Sequence, residues 1–235
     1  MLNPLISENL YLATLKKYCK NSSGSTYDET LFARIADDIY SHGYSIQVAA
    51  LPEDVSGALH AHLEEMNASK YVEAGIGRGD DFLKNEFVRT DEICWITGSS
   101  TAGQKWLDWA SRLQRFLNKR LFLGLFSFES HFAHYGPGAY YKRHSDAFRG
   151  EANRVLSVVT YLNPAWGHED GGELVLYKDD EDREGIKVVP LYGTLVIFLS
   201  EEFPHEVLPA QRDRHSVAGW FRVNTSINNR IDPPL

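Results

Sequence analysis

The spacing of hydrophobic and polar positions changes once along this chain. Up to about residue 120 the apolar residues recur at helical period; beyond it they come in short blocks between turns. Residues 5–19 carry a weak helical period and run into the polar break Asn21-Ser22-Ser23-Gly24-Ser25, which suits a mobile linker. The next helix is clearer. Thr26 and Glu29 form a T-x-x-E capping box, Leu31, Phe32, Ile35 and Ile39 fall on one face, and Gly43 stands where a helix stops. Residues 44–48 alternate and predict a strand. Pro52 opens a third helix with Val55, Leu59, Leu63 and Met66 inward. Residues 71–97 predict a strand, an exposed loop holding Gly75, Gly77, Gly79, Asp80 and Asp81, and a second strand over 87–96. Residues 104–118 form a fourth helix that turns Trp106, Trp109, Leu113, Phe116 and Leu117 inward.

From residue 121 strand-like runs follow in quick succession, at 121–126, 128–135, 155–162, 173–177, 186–190, 193–199, 205–208 and 215–223. Gly136-Pro137-Gly138, Asn163-Pro164, Gly171-Gly172 and Tyr192-Gly193 supply the turns between them. Many short strands at close spacing indicate a sandwich or barrel rather than a parallel α/β sheet. The expected class is α+β, mainly β: supporting helices first, then a β-barrel or jelly roll, packed as one domain over 1–235.

Composition narrows the setting. The 235 residues are 43% hydrophobic and 12% aromatic, ample for a sizeable core. A net charge of -8 leaves no broad footprint for nucleic acid or for an anionic membrane. Cys19 and Cys94 do not make a disulfide framework, which suits a reducing compartment. The N-terminus lacks a charged region followed by a long apolar run, and no apolar run reaches membrane-spanning length. A cytoplasmic protein is expected, without nucleic-acid or membrane partners.

The candidate chemistry lies in the β region. His144 and Asp146 flank Ser145, and in a strand residues two apart share a face. His205 follows 61 residues later and must come from another strand. Two imidazoles and one carboxylate are the ligand set of the facial triad, which holds Fe(II) on one side and leaves the other open. Three open positions admit a bidentate 2-oxo acid and O2, whereas structural zinc closes its shell. An arginine beyond His205 would suit the distal carboxylate of 2-oxoglutarate, because its planar fork matches a carboxylate. Spacing alone leaves Arg212 and Arg214 as rivals. Tyr161, on the inward phase of 155–162, is placed to complete the grip. Among the other histidines, His131 and His134 point to opposite faces of a strand, so at most one faces inward.

Several ordered blocks extend this pattern: Tyr135-Gly136-Pro137-Gly138, Tyr141-Lys142-Arg143-His144-Ser145-Asp146, Arg154, Thr160-Tyr161-Leu162-Asn163, Gly171-Gly172-Glu173-Leu174, and Pro204-His205-Glu206-Val207-Leu208-Pro209-Ala210 with Arg214 and Trp220. Over residues 135–220 the chain resembles the prolyl 4-hydroxylase group of Fe(II)/2-oxoglutarate dioxygenases, most closely the oxygen-sensing prolyl hydroxylases and their bacterial relatives. The resemblance implies a double-stranded β-helix (jelly roll) core over 121–225, on helical support over 1–120 that includes a finger loop at about 75–100. It implies iron ligation by His144, Asp146 and His205. It implies that Arg214, rather than Arg212, holds 2-oxoglutarate, with Tyr161 and Tyr135 in the same pocket. Arg154 and Trp220 would meet the substrate. Arg89-Thr90-Asp91-Glu92-Ile93-Cys94-Trp95 is similar to the R-x-D-x-x-x-W of the mobile finger, which implies substrate contacts at Arg89 and Asp91 and a pairing of Asp91 with Arg154 on closure.

The implied activity is hydroxylation of a prolyl residue in a protein, with 2-oxoglutarate and O2 consumed and succinate and CO2 released. L-ascorbate as reductant, a translation factor as substrate and a monomeric enzyme are further expectations of the resemblance. Two departures bear on the substrate: Ala218 and Gly219 replace larger residues of the animal enzymes, suggesting a wider pocket floor, and the acidic run 179–184 is unmatched and reads as a solvated hairpin tip. The rivals are an oxygenase acting on another side chain or a small molecule, a non-catalytic jelly-roll binding module, and a zinc hydrolase, for which no separate general base is found.

Overall fold

A computed structural model of the chain describes residues 24–66, 71–73, 88–147 and 153–224. The helix expected over 5–19 and the glycine-rich loop at 75–81 lie outside these residues. Helix α1 spans Gly24–His42, so Thr26 sits in its first turn and the T-x-x-E pair does not mark its start. Gly43 ends it in the left-handed region, φ +80°, with its N–H donating to the Ile39 carbonyl. A side chain there would also strike the Phe203 ring, 2.7 Å from an added Cβ. Helix α2 (Glu53–Glu65) follows Pro52 and buries Val55, Leu59 and Leu63.

Helix α3 (Thr101–Leu121) is longer than its periodicity suggested, because the Ser100 hydroxyl accepts the Gly103 N–H and caps it. The strand expected over 121–126 is not formed. Leu121 completes α3, and Phe122 turns into the left-handed region with its ring 88% exposed. The Asn118 side chain then takes both backbone groups of Leu125, donating to its carbonyl and accepting from its N–H, so neither serves a strand ladder.

The strands are β1 (Tyr44–Gln47), β2 (Val72–Glu73), β3 (Glu92–Trp95), β4 (Ser127–Tyr135), β5 (Tyr141–His144), β6 (Arg154–Tyr161), β7 (Leu174–Leu176), β8 (Ile186–Val188), β9 (Leu195–Leu199), β10 (His205–Val207) and β11 (Arg214–Arg222). They form two antiparallel sheets: a major one in the order β1-β9-β6-β11-β4-β3-β2 and a minor one in the order β5-β10-β7-β8. This is the jelly-roll fold. The acidic run 179–184 does form the tip between the paired strands β7 and β8.

The major sheet is covered on both faces. Its outer face packs Leu156, Val158, Ile197, Val217 and Phe221 against Trp106, Trp109, Leu113, Leu31, Ile35 and Leu59 of the helices. Its inner face carries Ala133, Tyr135, Tyr161, Val196 and Phe198 towards Leu174, Leu176, Val188 and Val207 of the minor sheet. A strand buried on both sides reads as an unbroken apolar run, which is why Leu195–Leu199 shows no alternation. The inner core is the smaller of the two, and its polar end becomes the site.

Candidate functional site

The site is built where β5 and β10 pair in the minor sheet. His144 and His205 are register partners, with ring centroids 4.3 Å apart. Asp146 does not share a strand with His144. Strand β5 ends at His144, and Asp146 lies in the bend that follows. A side chain of the opposite sheet aims it: the Ser157 hydroxyl of β6 donates to Asp146 Oδ2 at 2.6 Å, and Ser157 also bonds Ser200 at 2.9 Å.

One donor atom from each of His144, Asp146 and His205 lies within 4.8 Å of the others. Asp146 Oδ1 is 3.7 Å from His144 Nε2, and Oδ2 is 3.6 Å from His205 Nε2, too long for hydrogen bonds. Both imidazoles have settled tautomers. His144 Nδ1 faces the Lys142 carbonyl at 2.8 Å, and His205 Nδ1 faces the Phe203 carbonyl at 3.1 Å. A carbonyl only accepts, so each Nδ1 carries the proton and each Nε2 offers a lone pair to the common centre.

Electrostatics agree with a ligand role. Burial, with His205 adding, pushes His144 down to about 3, so it is neutral at physiological pH. Burial alone would raise Asp146, but His205, His144 and the Ser157 hydroxyl outweigh it and hold the carboxyl below the usual range. Two lone pairs and one carboxylate fit a divalent ion bonded at about 2.0–2.2 Å to each. The Tyr141 ring lies on the His144 imidazole at 3.5 Å with planes 14° apart, and the Arg89 guanidinium is 4.3 Å from the same Tyr141 ring.

Arg214 opens β11 in the facing sheet, not a continuation of the His205 strand. It is 1% exposed. Its Nε donates to the Gly172 carbonyl at 2.8 Å and its Nη1 to the Ser216 hydroxyl at 3.3 Å. Tyr135 and Tyr161 flank the guanidinium, with ring centroids 4.9 and 5.1 Å from its carbon. The Tyr161 hydroxyl is buried with no partner of good geometry, and burial pushes it up to about 12, against the pull of Arg214. No ion pair to Arg214 occurs among the described residues. A buried cation without an anion is expensive, so this arrangement suits an anionic ligand with a carboxylate at that end. Arg212, the rival by spacing, lies outside, paired with Asp170 and over the Trp166 ring.

The remaining expected residues sit along the inner face of the major sheet. Arg154 pairs with Glu129 at 3.1 Å and lies over the Trp220 ring, 3.6 Å from its centroid. Asp91 is taken by Arg89 in a two-pronged pair, 2.7 Å from Nε and 2.6 Å from Nη2. The segment around Arg89 bridges the sheets: Arg89 pairs with Tyr141 of the minor sheet, and Ile93 with Ala133 of the major one. Gly219 does not widen the pocket. It alternates with Ala218 towards the helices, and an added Cβ would stand 2.7 Å from the Glu129 carbonyl.

Residues not singled out from the sequence complete the site. Ser157 shares the phase of Tyr161 on β6 and could have been found by that alternation. Glu129 and Ser200 gave no such signal, since their partners are remote in the chain.

The 2OG-Fe(II) oxygenase superfamily profile matches residues 130–222. A Pseudomonas putida prolyl-4-hydroxylase structure is 42% identical, covers 82% of this chain and 98% of its own, and superposes with a TM-score of 0.72. A Trichoplax adhaerens prolyl hydroxylase solved with a hypoxia-inducible-factor peptide is 24% identical, covers 87% of this chain and 94% of its own, and shares the fold at a TM-score of 0.73. Mouse prolyl 3-hydroxylase OGFOD1 is 34% identical over 86 residues, 33% of this chain, and the chain spans only 15% of that relative's length. The metal cluster lies within the matched segment, and the fold and identity extend well beyond it: the chain belongs to the 2OG-Fe(II) oxygenase superfamily, whose members use Fe(II), 2-oxoglutarate and O2.

Proposed function

We propose that the protein hydroxylates a prolyl residue of a protein substrate. One observation carries the chemistry: a three-donor cluster on the minor sheet is accompanied, on the inner face of the major sheet, by a buried guanidinium that has no anion among the described residues. His144, Asp146 and His205 would hold the iron, and Arg214 the distal carboxylate of 2-oxoglutarate. When bound, iron with 2-oxoglutarate and O2 supplies the oxidation of an unactivated C–H bond. The protein's own part is placement. Ser157 fixes the Asp146 carboxylate, the two backbone carbonyls fix the imidazoles, and the Tyr161 hydroxyl is free to donate to the carboxylate that Arg214 holds. The Tyr135 and Tyr161 rings keep water from that ion pair. Arg154, Trp220, Arg89 and Asp91 stand where the substrate would enter.

The prolyl target is supported by the 42% identical prolyl-4-hydroxylase, which is matched over nearly its whole length, and C4 is preferred over C3 on the same ground. The test is mass spectrometry of candidate proteins incubated with enzyme, Fe(II) and 2-oxoglutarate, followed by amino-acid analysis. Gain of one oxygen on proline as 4-hydroxyproline is expected; oxidation of another residue, or none, would refute the reading. A translation factor as substrate, L-ascorbate as reductant, a monomer and a cytoplasmic setting rest on the family resemblance. Oxidised translation factors in that experiment, a dependence of turnover number on ascorbate, light scattering and cell fractionation test them in turn.

A further inference from the structure

Among the buried titratable side chains on the inner face of the major sheet, His131 is one that the iron and 2-oxoglutarate chemistry does not use. His131 is 3% exposed and sits on β4 in register with Ala218 of β11 and Trp95 of β3. It shares the face of Tyr135 and Ala133, which looks into the jelly roll. Its ring lies between two indoles, 5.3 Å from Trp95 and 5.5 Å from Trp220 by centroids. Trp95 is 48% exposed, so this slot opens to solvent at one end. At the other end, Arg154 lies over Trp220, and the strand neighbour of Trp220 is Ser157, which holds Asp146. Trp95, His131, Trp220 and Arg154 thus form a row of contacts that leads from the surface towards Ser157 and Asp146.

Its hydrogen-bonding groups are incomplete. His131 Nδ1 meets the Phe132 carbonyl at 3.1 Å, so Nδ1 carries the proton and Nε2 is an acceptor. His131 makes no other hydrogen bond among the described residues. Beside it, the Trp220 indole N–H is buried without a partner. A buried indole N–H without a partner, on a ring 5.5 Å from an imidazole that bonds only through Nδ1, is an arrangement folded proteins rarely leave without reason. Burial, with Arg89 adding, pushes His131 down to about 4, so the ring remains an acceptor at physiological pH.

We propose that His131 is a specificity-determining residue: its Nε2 accepts an N–H from the substrate chain next to the oxidised residue, while the neighbouring Trp220 indole donates to a carbonyl of the same chain. The pair matches the N–H and C=O that an extended polypeptide presents, and the aromatic walls suit its flat peptide groups. This rests on the reading of the protein as a prolyl hydroxylase acting on polypeptides.

The test uses a degenerate peptide library in which one fixed proline is flanked by randomised positions on both sides. Oxidised members are identified by mass spectrometry, and the best sequence is resynthesised for kinetics. His131→Phe keeps the ring between the indoles and removes the acceptor; His131→Gln returns an acceptor at a similar reach. The expected result is a rise of about tenfold in KM for the peptide in His131→Phe, the cost of one unmet buried group. The KM for 2-oxoglutarate should stay within about twofold, and His131→Gln should recover part of the peptide affinity. N-methylation of single backbone amides near the proline locates the donor. The methylation that weakens wild type but adds nothing in His131→Phe marks the bonded N–H. If wild type oxidises library prolines and His131→Phe has an unchanged peptide KM, the His131 role is overturned alone. If wild type oxidises no library proline, the prolyl hydroxylase reading falls and takes this one with it.

Discussion

Replacing Arg214 with methionine gives the sharpest test of the co-substrate pocket. The side chain is 1% exposed and anchored by bonds from Nε to Gly172 and from Nη1 to Ser216, which leave the rest of its fork to a ligand. Methionine keeps much of the volume and removes the charge. Truncating one partner of a buried charge pair costs about 3–5 kcal/mol, or about a 150- to 4,000-fold loss of 2-oxoglutarate affinity at 1.4 kcal/mol per factor of ten. Lysine should lose less, since it keeps the charge but not the fork. Stability without ligand should respond in the opposite sense. Wild type buries a cation with no anion among the described residues, and Arg214→Met removes that penalty, offset by the donors lost to Gly172 and Ser216. Its melting temperature without ligand should therefore equal or exceed that of wild type, while the stabilisation by 2-oxoglutarate disappears. Anaerobic titration of the Fe(II) protein, followed by the visible charge-transfer band and by thermal shift, reads both effects. A dissociation constant within about threefold of wild type would show that the distal carboxylate is held elsewhere.

Asp146→Asn should cut turnover by about 100-fold or more, beyond the 10–100-fold typical of outer-shell changes, while circular dichroism stays native; an active variant would dissolve the metal assignment. Stability should fall in acid partly through His131. The unfolded chain takes up a proton below about pH 6.5 and the native chain not until about 4, so stability is full above that window and declines through it as pH falls. The loss is about 3 kcal/mol at most. Denaturant titrations from pH 7 to 4 should show a shallower decline in His131→Phe, and an equal slope would contradict the buried neutral ring. Gly219→Ala places a methyl 2.7 Å from the Glu129 carbonyl and Ser130 Cβ, a clash of about 1–3 kcal/mol. Its melting temperature should drop, and an unchanged value would mean the strands are not so closely packed.

Much of this was legible in the chain. Periodicity alone placed α1, α2 and α3, because each buries one stripe of Leu, Ile, Val or Trp against a sheet. The turn residues separated the strands, and the spacing of His144, Asp146 and His205 named the metal cluster. Local chemistry misled where a side chain overrode the backbone pattern. The apolar run 121–126 looks like a strand, yet Asn118 captures Leu125 and the left-handed Phe122 breaks the chain direction. The spacing of His144 and Asp146 suggested a shared strand, whereas the carboxylate stands in a bend and is aimed by Ser157.

What the sequence determined by itself is therefore the class of fold, the order of its parts and the donor types. Those depend on residue identity and short-range spacing. What only the tertiary structure decided is which groups meet and which are left unmet. Arg214 lies buried between two sheets, whereas Arg212 lies outside over Trp166. Asp91 pairs with Arg89 and Arg154 with Glu129, while the pairing of Asp91 with Arg154 is expected only on closure. Gly219 fills a strand contact rather than a pocket. Among the described residues the Trp220 indole N–H has no partner, and the neighbouring His131 imidazole bonds only the Phe132 carbonyl. Burial and pairing are properties of the packed sheets, and they fix which charges and hydrogen bonds remain available to a ligand.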